Sequence, residues 1–325
     1  MNIDKLMKSL IIILLSIIMI GCNKDKLSYT EDSFEIDQAT NVGKEYLKEY
    51  AIDEVNNIVA YSIEGISESS DSVVLKYKII KQDDNNLRVS IDDMNIKVIK
   101  DNNKYSVSEV KASQLDEVYE SNNNLRYRNT EIGISEILVR AKDLPDSVYL
   151  QNSSVNTDKV YISNNQYNRL TININGDKIG LITDTDQGKL ITFMQVNNDK
   201  TTDGEIIESE IEDNNTDFQD TKEKPIATNV TAYDLIQTDN IDKIAMTTEG
   251  DYLLIEYNNI INIYRIPEGD KIDVGLQQLF PGEKYTMSIS LINDDGVFIN
   301  VKNNDTNDIE IYRMDIKSNK IIKAK

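Results

Sequence analysis

The chain has 325 residues, of which 56 are acidic and 35 basic, and its formal charge at pH 7 is −21. A molecule this acidic is repelled by nucleic-acid phosphates, so nucleic acid is excluded as a partner. The sequence has no histidine, no tryptophan and a single cysteine, Cys22. These absences exclude histidine-based catalysis, imidazole zinc sites and disulfides, whereas carboxylate-pair hydrolysis, a Ser-Lys dyad and oxygen-ligated calcium stay open.

Residues 1–22 have the pattern of an export signal. Two lysines precede an almost uniformly apolar run at 10–20, and the run is followed by Gly21-Cys22. The run is shorter than the roughly 18 residues that indicate a membrane-spanning helix, and a small residue at its end is typical of a processing site. Residues 19–22, Met-Ile-Gly-Cys, resemble the lipobox of bacterial lipoproteins.

That resemblance implies that residues 1–21 are a signal peptide and that Cys22 carries the fatty acyl chains, such as palmitate, that bind the membrane. Each buried methylene contributes about 0.8 kcal/mol, so two or more chains hold a protein firmly. The chain is then expected at the cell membrane, on its extracytoplasmic face, with residues 22–35 as a flexible tether. A cleaved secretory signal with an incidental cysteine and an uncleaved signal anchor stay open as alternatives.

Residues 36–115 are predicted to form an α+β domain. Apolar residues at helical spacing predict an amphipathic helix over 36–55, although Gly43 inside it costs about 1 kcal/mol relative to alanine. Four alternating β segments follow between residues 59 and 107, so the helix is expected to cover one face of an antiparallel sheet. This order, with Asn-Lys-Tyr-Ser-Val at 103–107 in the place of the last strand, resembles NTF2-like and cystatin-like domains of bacterial envelope proteins. The resemblance implies a placement or protein-binding module; some relatives hold a ligand or catalyse a reaction between helix and sheet.

Residues 116–145 are predicted to be a polar connector. Arg126, Tyr127 and Arg128 form the only basic-aromatic cluster of the sequence. Two interpretations stay open for this cluster: a solvated linker, or a binding site for an anionic group.

Residues 146–325 are predicted to be an antiparallel β-rich domain. Asn175-Gly176 is the strongest of its hairpin signals, and Gly250 and Gly296 mark two further turns. These turns separate alternating apolar segments, which is typical of strands. The whole chain is therefore predicted to be mainly β, with one α+β domain at its N-terminal end.

The β-rich domain contains an internal repeat. Residues 261–266 (INIYRI) are matched by residues 309–314 (IEIYRM), each after a turn and a strand, and a weaker copy is predicted at 190–196. Repeats of about 40 to 50 residues with several strands each are typical of propeller blades, and these segments resemble TolB-like and WD40-like blades. The resemblance implies a small or incomplete propeller; a β-sandwich stays open as an alternative.

Two acidic segments raise the question of calcium. The segment at about 199–225 is predicted to be a disordered, solvated insertion, with calcium or a cationic partner as the alternative. Residues 184–188 resemble a calcium loop superficially, but their position between two strands predicts a hairpin turn.

The sequence predicts no catalytic residue, no cofactor and no metal site; Cys22 is the one predicted site. The leading hypothesis is a cell-envelope lipoprotein that is not an enzyme and acts as an interaction or accessory module. Its expected partners are the membrane, through Cys22, and another envelope protein. A carboxylate-dependent hydrolase is a third possibility. The alternative is a surface receptor for a small ligand or polysaccharide, with a concave patch built from tyrosines at positions 233, 252, 257, 264 and 312.

Overall fold

The computed structural model describes residues 34–52, 57–102, 104–150, 159–163, 165–196 and 223–324. Within these ranges the protein is mainly β, with twenty strands and few helices. The strands form one sheet of ten, two sheets of four and one of two. The mainly β fold predicted from sequence is confirmed.

The predicted amphipathic helix is α1, Ile36–Ile52, and the last residues of its predicted range, 53–55, lie outside the described residues. Ala39, Leu47 and Ala51 on one face of α1 are buried against the sheet. Gly43 lies on the same face, where an added Cβ would overlap the Leu75 side chain. The missing side chain therefore brings the helix close to the sheet, which accounts for a residue of poor helix propensity at this position.

The ten-stranded sheet contains both the strands that follow α1 and the last strands of the described chain. Its order is β20-β19-β18-β17-β1-β2-β3-β4-β5-β6. The bounds of its strands are Ile58–Glu68 (β1), Ser72–Asp83 (β2), Arg88–Asp101 (β3), Lys104–Ser121 (β4), Asn124–Asn129 (β5), Ile134–Arg140 (β6), Tyr285–Asn293 (β17), Gly296–Asn303 (β18), Ile309–Asp315 (β19) and Lys320–Lys323 (β20).

The two halves of this sheet meet at β1 and β17, which run parallel and pair Ala60 with Ile292. The other strand pairs of this sheet are antiparallel and join strands that are consecutive along the chain. The division into bodies at 36–115 and 146–325 stays a prediction, but one hydrogen-bonded sheet contains strands of both.

The predicted connector, 116–145, is wrong as a solvated linker, because most of it is sheet. The end of β4 pairs with β5, and β5 pairs with β6. Along β5, Leu125 and Tyr127 are buried while Arg126 and Arg128 are half-buried on the other face. A strand with only two inward-facing apolar residues has the composition of a polar linker, so its sequence pattern does not indicate a strand.

The remaining strands form antiparallel meanders. A sheet of four contains β9 to β12, a second contains β13 to β16, and β17 to β20 repeat the arrangement as the end of the large sheet. Their bounds are Gln166–Ile172 (β9), Lys178–Thr185 (β10), Gly188–Val196 (β11), Ala227–Ile236 (β12), Lys243–Met246 (β13), Tyr252–Tyr257 (β14), Ile260–Arg265 (β15) and Lys271–Ile272 (β16). Two short strands, Ser147–Tyr149 (β7) and Lys159–Tyr161 (β8), pair with each other, and Leu276–Leu279 forms a short helix, α2.

The predicted hairpins are confirmed. Gly176, Gly250 and Gly296 lie in the turns between consecutive strands, each with φ in the range that favours glycine, at 76°, 70° and 138°. The turn between β10 and β11 pairs Thr185 with Gly188, so the segment 184–188 is the predicted hairpin.

The sequence repeat marks equivalent strands. Residues 261–266 lie mainly in β15, residues 309–314 in β19, and the weaker copy at 190–196 in β11. Each of these is the third strand of its four-stranded meander. The repeat therefore reflects three successive units of one design.

Candidate binding cleft

Cys22 and most of the acidic insertion lie outside the described residues, so lipidation and the disordered loop stay predictions. No helix in the described part of the chain is long and apolar enough to cross a membrane. Over the same ranges, no three Asp, Glu, Cys or His side chains are grouped closely enough to hold a metal ion.

The basic-aromatic cluster at Arg126 to Arg128 is occupied by carboxylates of this chain. Arg126 forms an ion pair of 2.9 Å with Glu223, which also accepts a 2.7 Å hydrogen bond from the Ile137 amide. Arg128 forms an ion pair with the buried carboxylate of Glu117. Both guanidinium groups are thus paired within the fold, with Glu117 shared between Arg128 and Arg88, and this pairing argues against the anion-site interpretation.

The five tyrosines that were expected to build a concave patch do not share one surface. Tyr233 and Tyr264 are buried, and Tyr257 packs against the same interior cluster. Tyr252 and Tyr312 are only partly buried and pack against a different cluster. The predicted aromatic patch is therefore wrong; most of its residues are core or half-buried packing residues.

Buried charged groups are also used inside the fold. Glu256 accepts a 2.7 Å hydrogen bond from the Ile289 amide, and the Lys243 ammonium donates to the Ile289 carbonyl oxygen at 3.0 Å. Burial raises the pKa of Glu256 and lowers the pKa of Lys243. Because both side chains hold β13 and β14 against β17, their shifted pKa values have a structural cause.

A cavity of about 270 Å³ lies where α1, the first two strands and the β17–β18 hairpin meet, and we call it the seam cleft. It adjoins the parallel pair of β1 and β17, so its walls come from distant parts of the sequence. The residues that define it are Tyr61 and Tyr77 from β1 and β2, Leu291 and Phe298 from the hairpin, and Lys44 and Lys48 from α1.

The two tyrosines of the seam cleft lie edge to face, with ring centroids 6.0 Å apart and an angle of 86° between the planes. Tyr77 is 2% exposed, and its hydroxyl has no hydrogen-bond partner among the described residues. Burial raises the pKa of Tyr77 well above its usual range, and it raises the pKa of Tyr61 as well. Both hydroxyls therefore stay protonated at neutral pH and can donate hydrogen bonds.

The turn between β17 and β18 is fixed to β1 by two hydrogen bonds. The Ile63 amide donates to the Asp294 carboxylate at 3.0 Å, and the Asn293 side-chain amide donates to the Tyr61 hydroxyl oxygen at 2.9 Å. These contacts hold the wall of the seam cleft in place without using the Tyr77 hydroxyl. The cleft therefore combines an apolar floor with walls that are held by hydrogen bonds.

The rim of the seam cleft carries charges of both signs. Lys44, Glu45 and Lys48 reach it from α1, while Asp294 and Asp295 reach it from the hairpin turn. Asp294 and Asp295 are among the charges that further raise the pKa of Tyr61. With both signs on one rim, the entrance favours a neutral or zwitterionic group over a strongly charged one.

Sequence reasoning did not find the seam cleft. Tyr61 and Tyr77 occur in alternating segments, where an aromatic residue indicates core, and nothing local distinguishes a satisfied hydroxyl from an unsatisfied one. The one available signal was Asn293 with Asp294 and Asp295, which was used only as a turn.

Comparisons with known proteins give no family. No family model matches the chain, and no curated protein matches it. A structure from a complex of KlAtg21 with the coiled-coil of AgAtg16 is similar at a TM-score of 0.32 and 8% identity, covering 81% of this chain and 69% of that chain. One from a study of two prolyl endopeptidases has a TM-score of 0.27 at 9% identity; the match covers 89% of this chain and 54% of that one. At these scores neither likeness bears on function.

Proposed function

We propose that this chain is a cell-envelope lipoprotein, anchored through Cys22 to the outer face of the cytoplasmic membrane, that acts as a non-catalytic binding and accessory module. The observation that carries the binding role is the seam cleft, with its preformed walls and an unpartnered buried hydroxyl. The shifted carboxyl and ammonium groups at Glu256 and Lys243 support a non-catalytic role, because their contacts are structural.

For the finer fold we propose an NTF2-like or cystatin-like helix on its sheet, followed by a small propeller-like array of four-stranded units. The repeated third strands support the array, because identical units stacked side by side bury a continuous core. One hydrophobic cluster does contain residues of all three meanders and of β1 to β6. A β-sandwich is the alternative arrangement.

The anchor is tested by Cys22→Ser, with Asn23→Ser as the matched control. We expect the parent and the control to fractionate with membranes and to incorporate radiolabelled fatty acid, because the thiol is the acylation site. Cys22→Ser is expected to lose the label and to leave the membrane fraction. Membrane retention of Cys22→Ser, together with an unlabelled parent, would contradict the proposal.

The expected protein partner is tested by crosslinking in intact cells. A photoreactive residue at Lys48, on the rim of the seam cleft, is compared with one at exposed Lys302 on β18. We expect a discrete adduct from position 48 that is weaker or absent from position 302. If no adduct forms from either position or from chemical crosslinkers, the protein-interaction role is wrong.

A second candidate, a surface receptor for a small ligand, is favoured by one specific observation. Tyr77 lines the seam cleft, and its buried hydroxyl has no partner among the described residues. Such groups cost free energy unless something satisfies them. The tyrosine patch first expected for this receptor is replaced by the pair Tyr61 and Tyr77. The polysaccharide form of this hypothesis loses its support with that patch.

A further inference from the structure

The side chains that line the seam cleft indicate the chemical class of the ligand that it would bind. An unpaired hydroxyl in an apolar environment costs about 1–3 kcal/mol, so native proteins rarely leave one without a hydrogen-bond partner. The Tyr77 hydroxyl can donate one hydrogen bond and accept others. An oxygen of a bound molecule would satisfy it where no described side chain does.

Tyr61 supplies a second, weaker contact. Its hydroxyl oxygen already accepts a hydrogen bond from the Asn293 amide, so its own hydrogen is left to donate. Both inner hydroxyls therefore favour an acceptor, such as a carbonyl or hydroxyl oxygen. A carboxylate is disfavoured there because it would be desolvated beside two neutral donors. The attraction of Lys44 and Lys48 on the rim is opposed by Glu45, Asp294 and Asp295.

The rest of the ligand must be apolar and small. Leu291 is 5% exposed, and half-buried Phe298, Ile63 and Ile311 complete the apolar wall. The volume of about 270 Å³ lies near the lower end of the range for small-molecule pockets. A molecule of roughly eight to fifteen non-hydrogen atoms fits inside it, whereas a protein partner would contact only its rim.

We propose that the seam cleft binds a small, uncharged molecule with an apolar body whose carbonyl or hydroxyl oxygen accepts a hydrogen bond from Tyr77. This inference rests on the receptor role proposed above, and it requires neither the lipid at Cys22 nor a protein partner. Loss of the anchor would therefore leave the binding unchanged.

The test uses two matched probes, acetophenone and ethylbenzene, which share a phenyl ring and a two-carbon substituent but differ in the carbonyl oxygen. The full chain is placed in lipid nanodiscs with ¹³C-labelled isoleucine methyl groups. Resonances of Ile63 and Ile311, assigned with Ile→Val variants, report on the seam cleft, and exposed Ile322 reports on nonspecific effects.

We expect acetophenone to shift the Ile63 and Ile311 resonances saturably and to bind at least about fivefold more tightly than ethylbenzene. Tyr77→Phe should weaken acetophenone about tenfold, the loss of one buried hydrogen bond, and leave ethylbenzene unchanged. Tyr233→Phe, which removes a hydroxyl elsewhere in the core, should leave both affinities unchanged. Ile311→Phe, which fills the cleft from β19, should abolish the binding of both probes.

Equal affinities for the two probes, no saturable shift, or unchanged acetophenone binding in Tyr77→Phe would overturn the inference. If any of these results is found together with a crosslinked protein partner, the protein-interaction role is supported and the small-ligand proposal is wrong. Saturable acetophenone binding without any crosslinked protein partner would support the small ligand and remove the protein-interaction role.

Discussion

Tyr264 in the interior cluster and Tyr77 in the seam cleft are both buried but have opposite hydrogen-bonding states. In the interior cluster, the Tyr264 hydroxyl donates to the Asp234 carboxylate at 2.9 Å and accepts from the Asn262 amide at 3.3 Å. In the seam cleft, Tyr77 is equally buried, but its hydroxyl contacts no described partner. The comparison teaches that depth of burial alone does not distinguish the two tyrosines, whereas the hydrogen-bonding state of the hydroxyl does.

The substitution Tyr→Phe distinguishes the two hydrogen-bonding states because it deletes only the hydroxyl. Where the hydroxyl is used by the fold, its loss is destabilising; where it is not, its loss is neutral or favourable. Free energies of unfolding, measured by denaturant titration, therefore test the comparison directly.

The largest effect is expected from Tyr264→Phe. This change removes one donor from the buried Asp234 carboxylate, which also accepts from the Leu235 amide. It also removes one acceptor from the Asn262 side-chain amide, which still donates to the Tyr257 hydroxyl. A hydrogen bond to a charged group contributes about 1.5–3 kcal/mol, so we expect the free energy of unfolding to fall by about 2 kcal/mol. A loss below about 0.5 kcal/mol would show that water replaces the hydroxyl at no cost.

Gly43→Ala is expected to be next. In an isolated helix it would stabilise by about 1 kcal/mol, but here the new methyl group overlaps the fully buried Leu75. Overpacking costs about 1–3 kcal/mol, so we expect a net loss of about 1.5 kcal/mol and a displaced α1 beside the seam cleft. Gly65→Ala is the control, since nothing lies within 4 Å of its added Cβ. Equal stabilities of the two variants would show that α1 is not held closely on Leu75.

Tyr233→Phe is expected to have a smaller effect. Its hydroxyl donates to the Pro267 carbonyl oxygen at 2.9 Å, a bond between neutral groups. Such a bond contributes about 1 kcal/mol, and thermal and denaturant unfolding should both report a loss of that size. An effect as large as that of Tyr264→Phe would mean that charge on the acceptor is unimportant here.

Tyr77→Phe is expected to have the smallest effect and the opposite sign. Without a ligand, removal of an unpaired buried hydroxyl leaves the free energy of unfolding unchanged or raises it by up to about 1 kcal/mol. A clear loss of stability, comparable with that of Tyr233→Phe, would show that the fold satisfies this hydroxyl. The seam cleft would then lose the observation that distinguishes it from an ordinary crevice.

The sequence predicts the local parts of this fold well, for physical reasons. The spacing of apolar residues identifies α1, and the turns at Gly176, Gly250 and Gly296 follow from backbone conformations that few other residues adopt. The repeat at 261–266 and 309–314 identifies equivalent strands of two four-stranded meanders.

The features that could not be predicted from the sequence depend on pairing between distant segments. Nothing near Ala60 or Ile292 indicates that their strands lie side by side, because β alternation specifies a face and not a partner. The seam cleft depends on that pairing, so it could not be predicted from the sequence either. The carboxylates that pair with Arg126 and Arg128 likewise come from another strand and from a distant segment.

The pairing of β1 with β17 has a consequence for how this molecule is made. The hydrogen-bonded partners Tyr61 and Asn293 are 232 positions apart, so the edge of β1 has no neighbour on that side until most of the polypeptide has been synthesised. Contacts of such long range slow folding, and an open strand edge is a template for association between chains. A nascent or truncated molecule that stops before β17 would expose this edge, and we expect it to need a chaperone or to aggregate.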